Sequence, residues 1–468
     1  MEQIASIRGK NKITLDGYVY VKQKPLANNA TSYECELRRG SGIGLSVCKA
    51  KVKIAADMSV VGFMNTHSHA PNDAHCEVQK VRAGIKRRAE QTDEGAQQIL
   101  GHELQHLSQQ AAVEMAPLSI IRRAIRSAKQ KRNAVHPLPT DRTFAIPDEY
   151  KTLENGEAFL LHDSGIQDPS RILIFGTART TRLLVQAQHW FLDGTFKIVP
   201  ELFYQLYTVH ALISGDVIPC LYVLLPNKTQ ATYLRLFQEM KALVPDLQPS
   251  TMTMDFEKAS MNAAIAIFPT VSIHGCFYHL AQNIYRQVQA VGLQERYRTD
   301  EDLALTTRML PALAFVPANQ VVDSFETLQE QAPDELTPVM DYFEDNYIGR
   351  LRRQGRRAAP TFAIAVWNVH NQVEENLPRT NNSVEGYHRK MQTAVSAHHP
   401  NIWRFLNILK REQSVNNTYL DQLLGGHAPP PQRKKYRDNN TRISRIVRDF
   451  GQRDRLDYLR GIAHNISF

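Results

Sequence analysis

Two aspartates and a Cys/His quartet have the residue types and spacing to do chemistry in this 468-residue chain. Asp193 sits in the apolar run Trp190-Phe-Leu-Asp193-Gly-Thr-Phe196, with Leu183, Leu184 and Val185 ahead of it. The run reads as a buried strand that ends on the acid at the rim of a sheet. A carboxylate there is costly to bury unless it is paired or binds a cation. Ser250-Thr-Met-Thr-Met-Asp255-Phe-Glu257 repeats the pattern, and an alanine-rich helix from Lys258 to Ile267 follows it. Two strand-end acids in one α/β unit form half of a divalent-metal site. Glu257 reads as a spare oxygen on the surface. Separately, Cys35, Cys48, His67 and His69 offer two thiolates and two imidazoles, enough for a tetrahedral Zn²⁺. The alternative is two buried thiols and two surface histidines.

The elements around the quartet are strands. Lys12 to Lys22, Ser32 to Leu37 and Leu45 to Val52 alternate with period two. About sixty residues with few large apolar side chains make a marginal core, so a staple is expected. Twelve residues separate Cys35 from Cys48, which suits neighbouring strands better than a single knuckle. With Tyr18, Tyr20 and Tyr33 on the strands, Cys48-Lys-Ala-Lys and Thr66-His-Ser-His-Ala-Pro, the segment resembles the FLYWCH zinc-finger family. Tyr33 stands where that family has Trp. The resemblance implies a zinc-bound module that recognises DNA or protein.

Residues 77–133 are helical in pattern: Val78 to Arg88, Glu94 to Gln109 and Pro117 to Lys131, with Asp93 and Ser119 as candidate N-caps. Arg122, Arg123 and Arg126, continued by Lys129, Lys131 and Arg132, form a basic stripe able to track phosphates, or a solvated helix face. Three short helices with a basic third also fit a helix-turn-helix. His102-Glu103-Leu-Gln-His106 formally matches a zinc-protease helix, with both imidazoles on one helical face. Ala112 stands where the third metzincin ligand belongs, and glutamines flank the motif, so two surface histidines are the better reading.

After the proline-containing linker at His136 to Asp141, strands and helices alternate. Strand patterns at Phe159 to His162, Arg171 to Phe175, the run to Asp193, Tyr204 to Ile213 and Val217 to Leu225 precede an amphipathic helix from Thr229 to Leu243. Ser214-Gly-Asp marks a hairpin turn. Then come the strand to Asp255, its helix, and Val271 to His279. A meander followed by alternating helices and strands is the order of an RNase H-like fold. Residues 281–360 are charged and helical, and close on Arg350-Leu-Arg352-Arg353-Gln-Gly-Arg356-Arg357, a candidate for contact with a nucleic-acid backbone. Leu377 to His388 offers a third acid, Glu385, on a helix; Asn382 and Glu385 also fit a capping box.

Asp193-Gly-Thr-Phe, Asp255-Phe-Glu, Cys276-Phe-Tyr-His279 and Arg379-Thr-Asn-Asn-Ser-Val-Glu385 together resemble the catalytic core of Mutator-like (MULE) transposases. The resemblance covers roughly residues 12–400. It implies that Asp193, Asp255 and Glu385 form an acidic triad for Mg²⁺ or Mn²⁺, and that Cys276 and His279 are the family's Cys-x-x-His element. In a two-metal site of this kind Asp193 bridges both ions, Asp255 and Glu385 each hold one, and DNA strands are cleaved and transferred. The runner-up is a domesticated, transposase-derived DNA-binding or transcription-regulating protein without turnover.

Composition agrees with this division. A net charge of +9 favours a polyanionic partner, here double-stranded DNA at element ends and target. Five cysteines in a long chain argue for a reducing compartment. Met1 to Lys10 lacks an apolar core, so no signal peptide is expected, and the longest apolar run, Val217 to Pro226, is too short to span a bilayer. An intracellular, nuclear protein without a membrane partner is expected, and a homo-oligomer is compatible with this. The α/β reading divides into a finger (8–75), a basic helical segment (77–135), an RNase H-like core (150–285 and 361–412) interrupted by a helical insertion (286–360), and a basic flexible tail (425–468).

Overall fold

In the computed structural model, residues 2–5, 11–26, 29–39, 47–92, 94–133, 136–353, 355–375, 377–395, 399–429, 431 and 433–466 are described. The predicted cap Asp93, the Arg132 side chain, the boundary at residue 8 and Leu45-Ser46 lie outside them. The chain forms two compact units, Met1–Leu138 and Pro139–Phe468.

The first unit is a six-stranded antiparallel sheet in sequence order: β1 (Glu2–Ala5), β2 (Asn11–Leu15), β3 (Tyr18–Pro25), β4 (Thr31–Cys35), β5 (Lys51–Ile54) and β6 (Val60–Met64). The period-two run from Lys12 to Lys22 is split into β2 and β3 because Asp16 and Gly17 both take positive φ, the twist a two-residue hairpin requires. Among the described residues, Ile13, Tyr20, Tyr33, Val52 and Ile54 form the buried sheet cluster. Four helices follow, α1 (Asp73–Gln91), α2 (Ala96–Glu103), α3 (Gln109–Glu114) and α4 (Leu118–Asn133). Ile85, Ala89, Ile99, Leu100, Ile121 and Ile125 make their shared core.

The second unit is built on a mixed seven-stranded sheet. Its elements are β7 (Leu160–Asp163), β8 (Leu173–Gly176), α5 (Ala178–Gln186), β9 (His189–Thr195), β10 (Gln205–Ile213), β11 (Asp216–Leu225), α6 (Gln230–Leu243), β12 (Thr251–Met254), α7 (Lys258–Ile267) and β13 (Ser272–Gly275). The strand order is β13-β12-β9-β10-β11-β8-β7. β9, β10 and β11 are antiparallel, while β12 runs parallel to β9 and β13 parallel to β12. Ser214 and Gly215, both at positive φ, close the β10–β11 hairpin. Leu183, Leu184 and Val185 belong to α5 and not to the strand. Thr177 caps that helix through Thr180, and the apolar residues recur at helical spacing.

Alternation in β9 sends Trp190 and Leu192 into a core with α6 and α7, and Phe191 and Asp193 to the opposite face. Much of that opposite face packs on α15 (Asn382–Val395) and α16 (Ile402–Leu424). Between β13 and α15 lie α8 (Phe277–Ala290), α9 (Gln294–Thr299), α10 (Glu301–Ala312), α11 (Val321–Gln331), α12 (Thr337–Phe343), α13 (Ile364–Trp367) and α14 (His370–Glu374). These helices share a large apolar core with α17 (Lys434–Arg448) and α18 (Arg455–Ala463). Residues 434–463 are therefore no flexible tail: Ile443, Val447, Tyr458, Leu459 and Ile462 are buried, and the Tyr458 hydroxyl donates to Phe315 O at 2.6 Å. Likewise α16 runs well beyond the predicted end at Glu412. No helix among the described residues is long and apolar enough to cross a membrane.

Candidate functional site

In the first unit, Cys35 ends β4 and Cys48 precedes the neighbouring β5, as the spacing requires. The ligand atoms of Cys35, Cys48, His67 and His69 gather within 4.8 Å of one another. Cys35 Sγ is 3.2 Å from His69 Nε2, Cys48 Sγ 3.4 Å from His67 Nδ1, and the two imidazole nitrogens are 3.3 Å apart. Tetrahedral zinc has N–N edges of roughly 3.3 Å and S–N edges of roughly 3.5 Å, so the quartet fits the ion. The remaining ring nitrogens are held from behind. His69 Nδ1 lies 3.0 Å from Ala70 O, and Tyr20 Oη lies 2.8 Å from His67 Nε2. Tyr18 stacks on the His67 ring at 3.5 Å. Such contacts fix tautomer and orientation in metal-bound histidines. Burial pushes the Cys35 thiol up to about 12, a cost that thiolate–zinc bonding removes. The donor set of this finger supports Zn²⁺.

His102-Glu103-Leu-Gln-His106 does not lie on one helix. α2 ends at Glu103 and the next residues turn, so the two imidazoles share no helical face. Arg122 is half-buried, with its guanidinium 3.2 Å from Gln97 Oε1, while Arg123 and Arg126 are exposed on α4.

In the second unit, three acids come from separate elements. Asp193 lies two residues inside β9 instead of ending it, and is 6% exposed. Its Oδ1 accepts from the Gly194 N–H at 2.8 Å, and its Oδ2 lies 3.2 Å from His388 Nδ1. Asp255 follows β12 directly, and Glu385 is in the first turn of α15. His279, on the first turn of α8, touches Asp255 through Nδ1 and lies 3.8 Å from Glu385 Oε1 through Nε2. Asp255 Oδ1 and His279 Nδ1 are buried against each other, and Glu385 Oε1 is buried without a hydrogen-bond partner. Burial raises the Glu385 pKa. His279 and Arg389 oppose that shift, and the charges of Asp193 and Asp255 add to it, so all three carboxyls share one field. For His279, burial works against the charged form, but the Asp255 carboxylate and the Cys276 sulfur carry the pKa up to about 11. Cys276, His279 and Glu385 themselves form a compact donor group.

One side chain brings the third acid in. Asn381, fully buried, donates from Nδ2 to Leu192 O at 3.1 Å and from its backbone N–H to Cys276 Sγ at 3.2 Å. Its carbonyl accepts from the Glu385 N–H at 2.8 Å. α15 begins at Asn382, so Asn381 and not Asn382 stands ahead of the first turn.

Several residues here were not legible from the sequence. Glu257 is not a surface residue. It lines a narrow cleft with Asp193 and Asp255, accepts from the Tyr233 hydroxyl at 3.0 Å, and burial raises its pKa. His388 is tied through Nε2 to Thr208 Oγ1 at 3.0 Å, which is also 3.0 Å from His210 Nε2. The only sequence signal for His388 is its position one helical turn after Glu385. Among the arginines of the 350–357 run, Arg352, Arg353 and Arg356 are exposed on a short hairpin. Arg357 instead pairs with Glu326 at 2.6 Å and Glu344 at 2.7 Å.

Comparison with known proteins finds two family matches. The FLYWCH zinc finger domain matches residues 3–69 and the MULE transposase domain matches residues 189–283. No curated protein matches the chain. The second match spans Asp193, Asp255, Cys276 and His279, and the first ends on His69. The chain thus carries a FLYWCH zinc finger domain and a MULE transposase domain, which suggests a transposase-related function and DNA binding.

Proposed function

We propose that the second unit is a DNA transposase core of RNase H-like type, in which Asp193, Asp255 and Glu385 act together in strand cleavage and strand transfer. The observation that carries this reading is the approach of these carboxyls from separate elements: His279 links Asp255, just after β12, to Glu385 on α15, while Asp193 of β9 lines one cleft with Asp255 and its charge acts on Glu385. A buried, unpartnered Glu385 oxygen in the field of the Asp193 and Asp255 carboxyls fits a hard divalent cation such as Mg²⁺ or Mn²⁺. Asp193, Asp255 and Glu385 would hold it. When bound, it supplies Lewis-acid stabilisation of charge on the phosphoryl oxygens and lowers the pKa of an attacking water or 3′-hydroxyl.

The protein's own groups orient this site. The Gly194 N–H and the His388 imidazole fix the Asp193 carboxylate from two sides. Asn381 ties the start of α15 to β9, which sets where Glu385 stands. The helices between β13 and α15 are read as an insertion in the core, and the Arg352, Arg353 and Arg356 hairpin as a contact for the DNA backbone. The finger, with Arg122, Arg123 and Arg126 on α4, is read as a second DNA-binding element, and the nucleus as the place of action.

The test is nicking of supercoiled DNA by the full chain. Cleavage that requires Mg²⁺ or Mn²⁺, and that Asp193→Asn abolishes while DNA binding survives, supports the reading. Tight DNA binding without cleavage in either metal would favour a domesticated DNA-binding protein instead.

A further inference from the structure

The sheet face that carries the acids also carries a cavity. In the β9–β12–β13 ladder His189 is level with Thr251 and Ser272, and Phe191 with Thr253 and His274. Two residues further on come Asp193, Asp255 and Cys276. Alternation puts all three rows on one face. The first two rows line a cavity of about 210 Å³, whose other lining residues are Asn371, Gln372, Glu375, Leu377 and Pro378. From Pro378 the chain runs directly into Arg379, Asn381 and Glu385.

The cavity has unsatisfied polar groups. Gln372, 8% exposed, directs an Oε1 with no hydrogen-bond partner, and His274 Nδ1 is buried and equally unpartnered. A buried acceptor left open is destabilising, and a ligand N–H would satisfy it. Phe191, Leu377 and Pro378 add apolar surface. A carboxylate, Glu375, stands in the lining and disfavours a phosphate there. A flat, neutral heterocycle with edge donors and acceptors fits this lining, and the volume suits one ring system and not a whole nucleotide.

We propose that this cavity receives a single unpaired base of the DNA substrate, swung out of the helix beside the phosphate at the acids. The proposal rests on the DNA-cleaving reading of the same face. Phe191 is two residues from Asp193, roughly 7 Å along a strand, within one or two nucleotide steps of roughly 3.4 Å. A base held there leaves the stack, and Gln372 and His274 read its edge, as in other sites that take an extruded base.

The experiment measures binding of the full, zinc-loaded chain, without Mg²⁺, to three fluorescent duplexes: fully paired, with one extra unpaired base, and with an abasic residue in place of that base. A preference of about tenfold for the unpaired base over the paired duplex is expected, from the usual worth of burying one base. The abasic duplex should lose it. Gln372→Ala and His274→Ala should each reduce it to within about twofold, with affinity for the paired duplex unchanged. Thr253→Val, close in shape, is a further variant should either alanine variant melt early. Equal affinity for paired and unpaired duplexes overturns the proposal, as does a preference that survives the abasic residue, which would reflect bending alone. Either result leaves the nicking assay, and the cleavage reading, standing. Failure to bind any duplex overturns both.

Discussion

His388 Nδ1 stands 3.2 Å from Asp193 Oδ2, so the helix that carries Glu385 also braces Asp193 from behind. The brace continues through Thr208 to His210 in the sheet interior. His388→Ala is expected to lower nicking about 10–100-fold, the usual loss when a partner behind a metal ligand is removed. The Mg²⁺ concentration for half-maximal rate should rise with it. A metal titration of nicking rates checks both, and an unchanged half-saturation point with normal activity would show that Asp193 needs no such support.

Asn381→Ala removes a buried side chain that donates to Leu192 O and leaves that carbonyl open. A stability loss of about 1–3 kcal/mol in the second unit is expected from denaturant midpoints. Nicking should fall further than stability alone accounts for, because α15 loses its anchor to β9.

Zinc removal should act on the first unit alone. One zinc per chain is expected by elemental analysis, lost in Cys35→Ser. With so few buried residues in its sheet, the finger should lose cooperative unfolding on chelation. The thermal transition of a fragment spanning Pro139–Phe468 should stay where it is, which separates this outcome from general damage.

Asp168 provides the pH test. Burial alone would raise its pKa, but Arg235, Ser164 and the Ser170 N–H bring it down to about 2. A depressed folded-state value stabilises the fold above the unfolded value near 3.8, and that stability is lost as pH falls toward 2. Asp168→Asn should therefore cost about 1 kcal/mol at pH 7, after allowance for partial exposure of the pair. The difference from wild type should vanish near pH 2, as urea midpoints across this range would show.

The sequence carried the Cys and His donors of the finger and named Asp193, Asp255 and Glu385 as candidate acids, the two aspartates because each lies on or beside a strand whose composition marks it and Glu385 from its place at the start of a helix. It was silent on residues whose roles depend on distant partners. Glu257 lines the cleft with a hydrogen bond from Tyr233, on the distant α6. His388 matters only because α15 lies against β9. Local pattern also misled: Leu183 to Val185 have β-forming character, yet the Thr177 cap starts a helix that absorbs them. Asp16-Gly17 interrupts an alternation that looked continuous, and the His102 motif falls on a helix end. The C-terminal basic residues disguised two amphipathic helices, since arginines on one side hide the buried Ile443 and Val447 on the other.

The long separation between Asp255 and Glu385 has a consequence during synthesis. A ribosome that has made β9 and β12 has produced two acids that cannot yet work with the third. The intervening helices must emerge and pack before Asn381 docks and delivers Glu385. Under the proposed cleavage reading, a truncated or half-made chain that lacks Glu385 would lack the third carboxyl, and cutting would await synthesis of α15.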